Sequence, residues 1–288
     1  MNLLVFGSEG RIGSNLCKDL QEKINITGID TIKKNDFTHN FKKINLALKK
    51  IKSPLLKAEN SLILSFYKSQ PKDFNSEKPK IFLRKNNLIL DNCLNISKKS
   101  DVKKIIYISS VAVYKKKNTL KKISEKNTIN DNSIYSKFKI LAESKIKKFC
   151  QKNKINYIIL RLFHYYDDSG NHLIENFKNQ LLKNEKIVIF GSGAQKLDFL
   201  YSKDLSKIIS KLCIINIKNK TLNLCTGSGV KISEIANSLV KDKKSIIYQN
   251  NKSGDLSLVG NNEKLSKLIN YYPKNNIRLI LKKLKELL

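Results

Sequence analysis

Met1-Asn2-Leu3-Leu4-Val5-Phe6-Gly7-Ser8-Glu9-Gly10-Arg11-Ile12-Gly13 is the stretch that decides the fold. Leu3–Phe6 is an apolar run of strand length, and helical spacing of apolar residues follows in Asn15–Lys23. Glycines caught between a strand and a helix carry a meaning that scattered glycines do not. Gly7 permits a tight turn, Gly10 lets a pyrophosphate approach the backbone, and Gly13 lets the helix close on the strand. The helix start around Arg11 and Ile12 then offers free N–H groups and a partial positive charge to phosphates. A second strand, Ile26–Asp30, ends on a carboxylate. Asp30 can accept hydrogen bonds from an adenosine ribose and repel a 2′-phosphate, which favours NAD and leaves NADP as the alternative.

Working outward, Leu62–Phe66, Lys104–Ser109 and Tyr157–Leu162 read as further strands. Helices are predicted over Asn86–Lys99 and Tyr135–Lys152. Near-continuous apolar strands alternating with helices specify an α/β chain, a doubly wound parallel sheet covered on both faces. After Leu162 the rhythm changes. Asp167, Asp168, Ser169 and Gly170 form a loop before a helix over Leu173–Leu182, and the strand Ile187–Phe190 runs into Gly191-Ser192-Gly193. A helix starts at Asp204, Thr221–Leu224 is a strand, Ser233 begins a helix, and Ile277–Leu288 is an amphipathic lysine-rich helix.

The 288 residues, 41% of them hydrophobic, can bury a large core. No apolar run approaches the roughly 20 residues that cross a bilayer, so no membrane insertion is expected. The opening residues lack a basic segment and a small-residue cleavage site and read as a strand rather than a signal peptide. The 5 cysteines include no Cys-x-x-Cys, which implies free thiols, no zinc or other metal site and a cytoplasmic location. The net charge of +32 would suit a nucleic-acid binder. Its bearers, however, are almost all lysines strewn along the whole chain, with only Arg11, Arg84, Arg161 and Arg278 able to form a bidentate fork. That pattern is compositional drift at exposed positions, and no nucleic-acid partner is expected.

Two segments carry a more specific signal. Tyr107–Tyr114 reads YISSVAVY, with Ser110 before Tyr114 in Ser-x-x-x-Tyr, and Ile134–Ser144 reads IYSKFKILAES, holding Tyr135-x-x-x-Lys139. Residues at i and i+4 share a helix face, so Lys139 and Tyr135 point the same way, and a nearby ammonium should lower the tyrosine pKa. On these segments the chain resembles the extended short-chain dehydrogenase/reductases, the NAD-dependent epimerase/dehydratase family. The likeness extends over nearly the whole length, including Phe190–Leu205. It implies a Rossmann-type domain over residues 1–163, with 198–225 returning to it, and a smaller C-terminal substrate-binding lobe from 164–197 and 226–288. It also implies that Tyr135 is the acid–base group, that Lys139 holds the nicotinamide ribose and that Ser110 hydrogen-bonds the reacting oxygen. Gly7, Gly10, Arg11, Ile12, Gly13, Asp30, Asp36, Phe37, Tyr135 and Lys139 would bind the cofactor. A homodimer pairing the helices at Asn86–Lys99 and Tyr135–Lys152 is expected by the same analogy.

The substrate implied is a nucleoside-diphosphate sugar. Phe190 would stack on its base, and Lys196, His172 and His164 stand where the family contacts the diphosphate or sugar. There the chain departs from the family pattern: Leu197 occupies the position of a diphosphate-clamping Arg, Phe66 and Tyr67 replace small residues beside the cofactor, and Lys115 replaces a glycine. The expected reaction is epimerisation through a transient 4-keto sugar. The alternatives are NAD(P)-dependent reduction of a 4-keto-6-deoxy sugar, which the short spacing between Asp30 and Ser61 favours, or a non-catalytic NAD-binding protein. A dehydratase is disfavoured, since Val111 and Ala112 follow Ser110 and neither carries a proton.

Overall fold

In the computed structural model of the chain, residues 1–34, 40–51, 56–63, 79–115, 121–131, 133–170, 172–250 and 256–286 are described. They fall into two compact units. The first comprises Met1–Lys115, Thr128–Arg161 and Ser206–Leu222; the second comprises Lys116–Asn127, Leu162–Leu205 and Asn223–Leu288. The boundaries expected from sequence had placed 121–127 and 198–205 with the first unit. Ile123 instead bridges Gly260, and Lys196–Tyr201 pairs with strands of the second unit.

The first unit is built from β1 (Asn2–Phe6), α1 (Arg11–Leu20), β2 (Asn25–Asp30), β3 (Asn40–Lys43), β4 (Asn60–Ile63), α2 (Pro79–Lys99), β5 (Lys104–Ser110), α3 (Ile134–Asn153) and β6 (Asn156–Leu162). With a later strand, β10 (Lys220–Leu224), these strands form a seven-stranded sheet ordered β10-β6-β5-β4-β1-β2-β3. β1 pairs in parallel with β2 and β4, β2 with β3, and β4 with β5. The chain builds outward from β1 in one direction and then crosses to β4 to build in the other. The β1/β4 junction is thus a topological switch point, where sheets of this kind open a crevice at their carboxyl ends.

The core records why the strands read as apolar runs. Leu4, Phe6, Ile29, Ile63, Ile105, Tyr107 and Ile159 are all buried and cluster with Leu90, Leu94, Phe138 and Ile146 from α2 and α3. β3 was not anticipated. Asn-Phe-Lys-Lys has one apolar residue and lies at the sheet edge, where lysines discourage further strand pairing. α1 begins at Arg11 rather than Asn15, because Gly10 caps it in extended backbone and Ser14 N–H already reaches the Gly10 carbonyl at 2.8 Å. α2 begins at Pro79 rather than Asn86; proline suits a first helical position, having no N–H to leave orphaned. α3 starts from a reciprocal cap, in which Ser133 accepts from Ser136 N–H and Ser136 Oγ accepts from Ser133 N–H. Ser133→Ala should therefore lower stability by about 1 kcal/mol, measured as a reduced denaturant midpoint with unchanged slope.

The second unit holds a three-stranded sheet, β11 (Gly229–Lys231), β9 (Lys196–Tyr201) and β7 (His164–Tyr166). A parallel pair joins β12 (Ile246–Gln249) to β8 (Ile187–Phe190). Its helices include α4 (His172–Leu182), α6 (Ile232–Leu239), α7 (Glu263–Ile269) and α8 (Ile277–Glu286), while α5 (Ser202–Ile214) spans the boundary between units. Ile277, Ile280, Leu281 and Leu284 of α8 share a core with Phe177, Phe199, Ile235 and Leu239, which explains its amphipathic pattern. Among the described residues no helix is long and apolar enough to cross a membrane. No group of three or more His, Cys, Asp or Glu there could hold a metal ion.

Candidate functional site

Strand register brings the glycine loop to Asp30. Phe6 pairs with Ile29, and Gly7 N–H donates to the Ile29 carbonyl at 2.9 Å. Gly7 then turns the chain with a φ of 85°, open mainly to glycine. A Cβ on Gly13 would stand 2.1 Å from the Gly7 carbonyl oxygen, so no side chain fits. Gly10 differs: a Cβ there would meet only that oxygen, at 3.4 Å, an ordinary contact. Internal packing does not demand a glycine at this position. The bare backbone instead leaves the start of α1 accessible, with no side-chain cap and no acidic residue in its first turn. A cradle of this kind fits a dinucleotide pyrophosphate. Arg11 and Ile12 form the first turn of α1. Asp30 is fixed at the edge of the cradle, its Oδ2 accepting from Glu9 N–H at 3.0 Å and its Oδ1 from Thr31 N–H at 2.7 Å. Asp36, Phe37, Phe66 and Tyr67 lie outside the described residues.

The second constellation stands where β5 ends and α3 begins. Ser110, the last residue of β5, accepts from Ala112 N–H at 3.2 Å, and its hydroxyl hydrogen-bonds Tyr135. One turn along α3, Lys139 is fully buried and donates to the Ile108 carbonyl at 2.8 Å. Its Nζ lies 4.8 Å from the Tyr107 ring centre and 5.7 Å from that of Tyr135. The shared face expected from the spacing is therefore present. The expected fall in the tyrosine pKa is not. Burial pushes the Tyr135 phenol up to about 12, and the Ser110 hydrogen bond only partly opposes it. Burial likewise brings Lys139 down to about 7, against the pull of Glu143.

Glu143 and Arg161 were missed in the sequence. Arg161 Nε donates to Glu143 Oε1 at 3.0 Å and its Nη2 to Oε2 at 2.7 Å, while Ser109 Oγ donates to Oε1 at 2.6 Å. The guanidinium also lies 4.9 Å from the centre of the Tyr114 ring. Burial disfavours the Arg161 charge, but the Glu143 carboxylate and the Tyr114 hydroxyl together more than offset it and the net shift is upward. Two signals could have found the pair. Glu143 follows Lys139 by one helical turn, and Arg161 interrupts an otherwise apolar strand, where a charge needs a partner.

The remaining predicted residues belong to the second unit. Phe190 ends β8 with 60% of its surface exposed, so it is not a core residue. Lys196 begins β9 and is exposed; His172 begins α4 and is also exposed. His164 opens β7 with its ring 5.4 Å from that of Phe199, and burial lowers its pKa to about 4, so it is neutral near pH 7. Leu197 packs on the apolar core of this unit. Beside it, Asp198 is fully buried and was not singled out beforehand. Its carboxylate accepts from Thr226 N–H and Oγ, Gly227 N–H and Gly260 N–H, at 2.6 to 3.2 Å, and so ties the turn after β10 and the Gly260 segment to β9. All five cysteines are buried and free.

Comparison with known proteins agrees with the fold. The model of the NAD dependent epimerase/dehydratase family matches residues 3–225. A putative UDP-glucose 4-epimerase of Methanocaldococcus jannaschii is 35% identical over 150 residues, which span 50% of this chain and 48% of that protein. An uncharacterised UDP-glucose epimerase of Bacillus subtilis is 26% identical over 96% of this chain and 95% of its own. Among solved structures, the UDP-N-acetylglucosamine 4-epimerase of Methanobrevibacter ruminantium superposes with a TM-score of 0.84 at 22% identity, covering 99% of this chain and 97% of that one. At that identity the likeness concerns the fold.

Proposed function

Because the chain belongs to the NAD-dependent epimerase/dehydratase family, we propose that it is an NAD-dependent epimerase of a nucleoside-diphosphate sugar, acting through a transient 4-keto intermediate. The observation that carries this reading is the Ser110–Tyr135 hydrogen bond with Lys139 one turn along the same helix face. The glycine cradle and Asp30 would hold the dinucleotide, with Lys139 on the nicotinamide ribose. Bound NAD would supply the two-electron acceptor and donor needed at C4 of the sugar.

The chain's own residues handle the proton. Tyr135 takes it from the sugar 4-hydroxyl as that carbon is oxidised, and returns it to the same oxygen once the ring has presented its other face. Ser110 donates a hydrogen bond to the reacting oxygen and stabilises its negative charge. With its phenol held at about 12, Tyr135 rests protonated, the form that donates to a 4-keto oxygen. Ser110 and a charged Lys139 work towards the phenolate that accepts. Exposed Phe190 is proposed to stack on the nucleotide base, and Lys196 and His172 to meet the diphosphate. The proposed assembly is a homodimer through α2 and α3, and Leu141 of α3 is 44% exposed.

UDP-glucose is the first substrate to test, since relatives are named for it. The purified chain should interconvert it with its 4-epimer, resolved by chromatography, without stoichiometric NADH appearing in solution. Net consumption of added NADPH by a 4-keto sugar would favour the reductase instead. No turnover of any UDP-, GDP- or dTDP-sugar, with NAD bound, would overturn the enzymatic reading.

A further inference from the structure

Glu9 lies between Gly7 and Gly10 and is only 6% exposed. Its backbone N–H donates to Asp30 Oδ2 at 3.0 Å, and its carboxylate Oε2 accepts from Lys34 N–H at 2.8 Å. The side chain thus reaches from the glycine loop to the segment that follows β2. That segment presents two exposed cations, Lys33 and Lys34, which follow Asp30 after Thr31 and Ile32. Left to themselves, these lysines would invite a 2′-phosphate and work against Asp30. The Glu9 carboxylate adds a second negative charge against the backbone of Lys34, in a buried position where salt screens it little.

From this arrangement we infer that Glu9 is a second specificity-determining carboxylate, acting with Asp30 to exclude a dinucleotide that carries a 2′-phosphate. The inference rests on the proposal that the glycine loop binds NAD. It differs from a purely mechanical role for Glu9, the fastening of residues 31–34 to the loop. Fastening needs an acceptor for Lys34 N–H but no charge, and losing it would weaken NAD and NADP alike. A charge effect on the shared pyrophosphate is common to both dinucleotides and cancels in their affinity ratio, so what the ratio reads is the effect on the 2′-phosphate.

The test is isothermal titration of NAD and NADP into the full chain, freed of co-purified nucleotide, for wild type, Glu9→Gln, Glu9→Asp and Asp30→Asn. Glu9→Gln keeps an acceptor oxygen and loses the charge. It should narrow the NAD-over-NADP affinity ratio about tenfold, equivalent to roughly 1.4 kcal/mol. Glu9→Asp keeps the charge and should keep most of the ratio. Should Glu9→Gln fail to fold by circular dichroism, Glu9→Ser supplies a neutral variant small enough for the same space. If Asp30→Asn narrows the ratio while the neutral Glu9 variant leaves it unchanged, or lowers both affinities equally, Glu9 has no part in specificity and the NAD reading stands. If wild type binds neither dinucleotide, the NAD reading itself fails. A wild-type preference for NADP would overturn both.

Discussion

Tyr135→Phe is expected to lower sugar-nucleotide turnover by roughly a hundredfold to ten-thousandfold, the usual worth of a positioned acid–base group. The substitution removes one oxygen and leaves the ring. Ser133 and Ser136 still cap α3, so the helix start holds its place, and Lys139 still donates to the Ile108 carbonyl. The cofactor cradle, built from the ends of β1 and β2, is untouched. NAD should therefore bind the variant as it binds wild type while chemistry fails. Measuring both on one preparation makes the outcome decisive. Retention of more than about a tenth of wild-type turnover would remove Tyr135 from the proton-transfer role, since even a modest general acid contributes more than that. Loss of NAD binding together with turnover would instead mean that the variant is disturbed beyond the site.

The largest expected effect on stability comes from Glu143→Leu. Both Glu143 oxygens are committed, to Arg161 and to Ser109, and both members of the ion pair are buried. Removing the carboxylate leaves a guanidinium in the core with no counter-charge, which typically costs about 3–5 kcal/mol. It also takes from Lys139 an anion that works against its desolvation. The double variant Glu143→Leu, Arg161→Met should recover most of the loss, because the cost lies in the stranded charge rather than in the absent attraction. Thermal and urea unfolding of wild type and both variants check this. A loss below about 1 kcal/mol in the single variant is what an exposed pair gives, and would show that water reaches Arg161.

Much of the catalytic constellation was legible because it follows local periods. The four-residue spacing of Tyr135 and Lys139 means one helix face whatever the fold around it, and Ser110 falls at the end of a run too apolar to be anything but a buried strand. Glu143 obeys the same spacing and was legible in principle. Arg161 was not paired in advance, because its partner lies on another element and only sheet packing brings β6 beside α3. Lys104 is similar. It reads as one lysine among many, yet it is buried and donates to the carbonyls of Leu212, Cys213 and Ile215 around the end of α5. Composition hid it, since a chain with a charge of +32 gives no reason to single out one lysine. β3, β7, β9, β11 and β12 were missed for a related reason: short strands at edges or in small sheets lack the continuous apolar run that marked β1, β5 and β6.

By itself the sequence determined the parallel sheet, the glycine turn, Asp30 at the end of β2 and the shared face of Tyr135 and Lys139. Each depends on steric rules acting over a few residues, such as the absent Cβ at Gly13 and the i, i+4 period of a helix. Tertiary structure alone decided which charges are buried, and with that the protonation of the site. Desolvation is set by everything that surrounds a group, so the Tyr135 phenol moves up where the local pair predicted down, and Lys139 comes down to about 7. Tertiary contact likewise turned Glu9, an ordinary loop residue in the sequence, into a carboxylate held against the backbone of Lys34 beside Asp30.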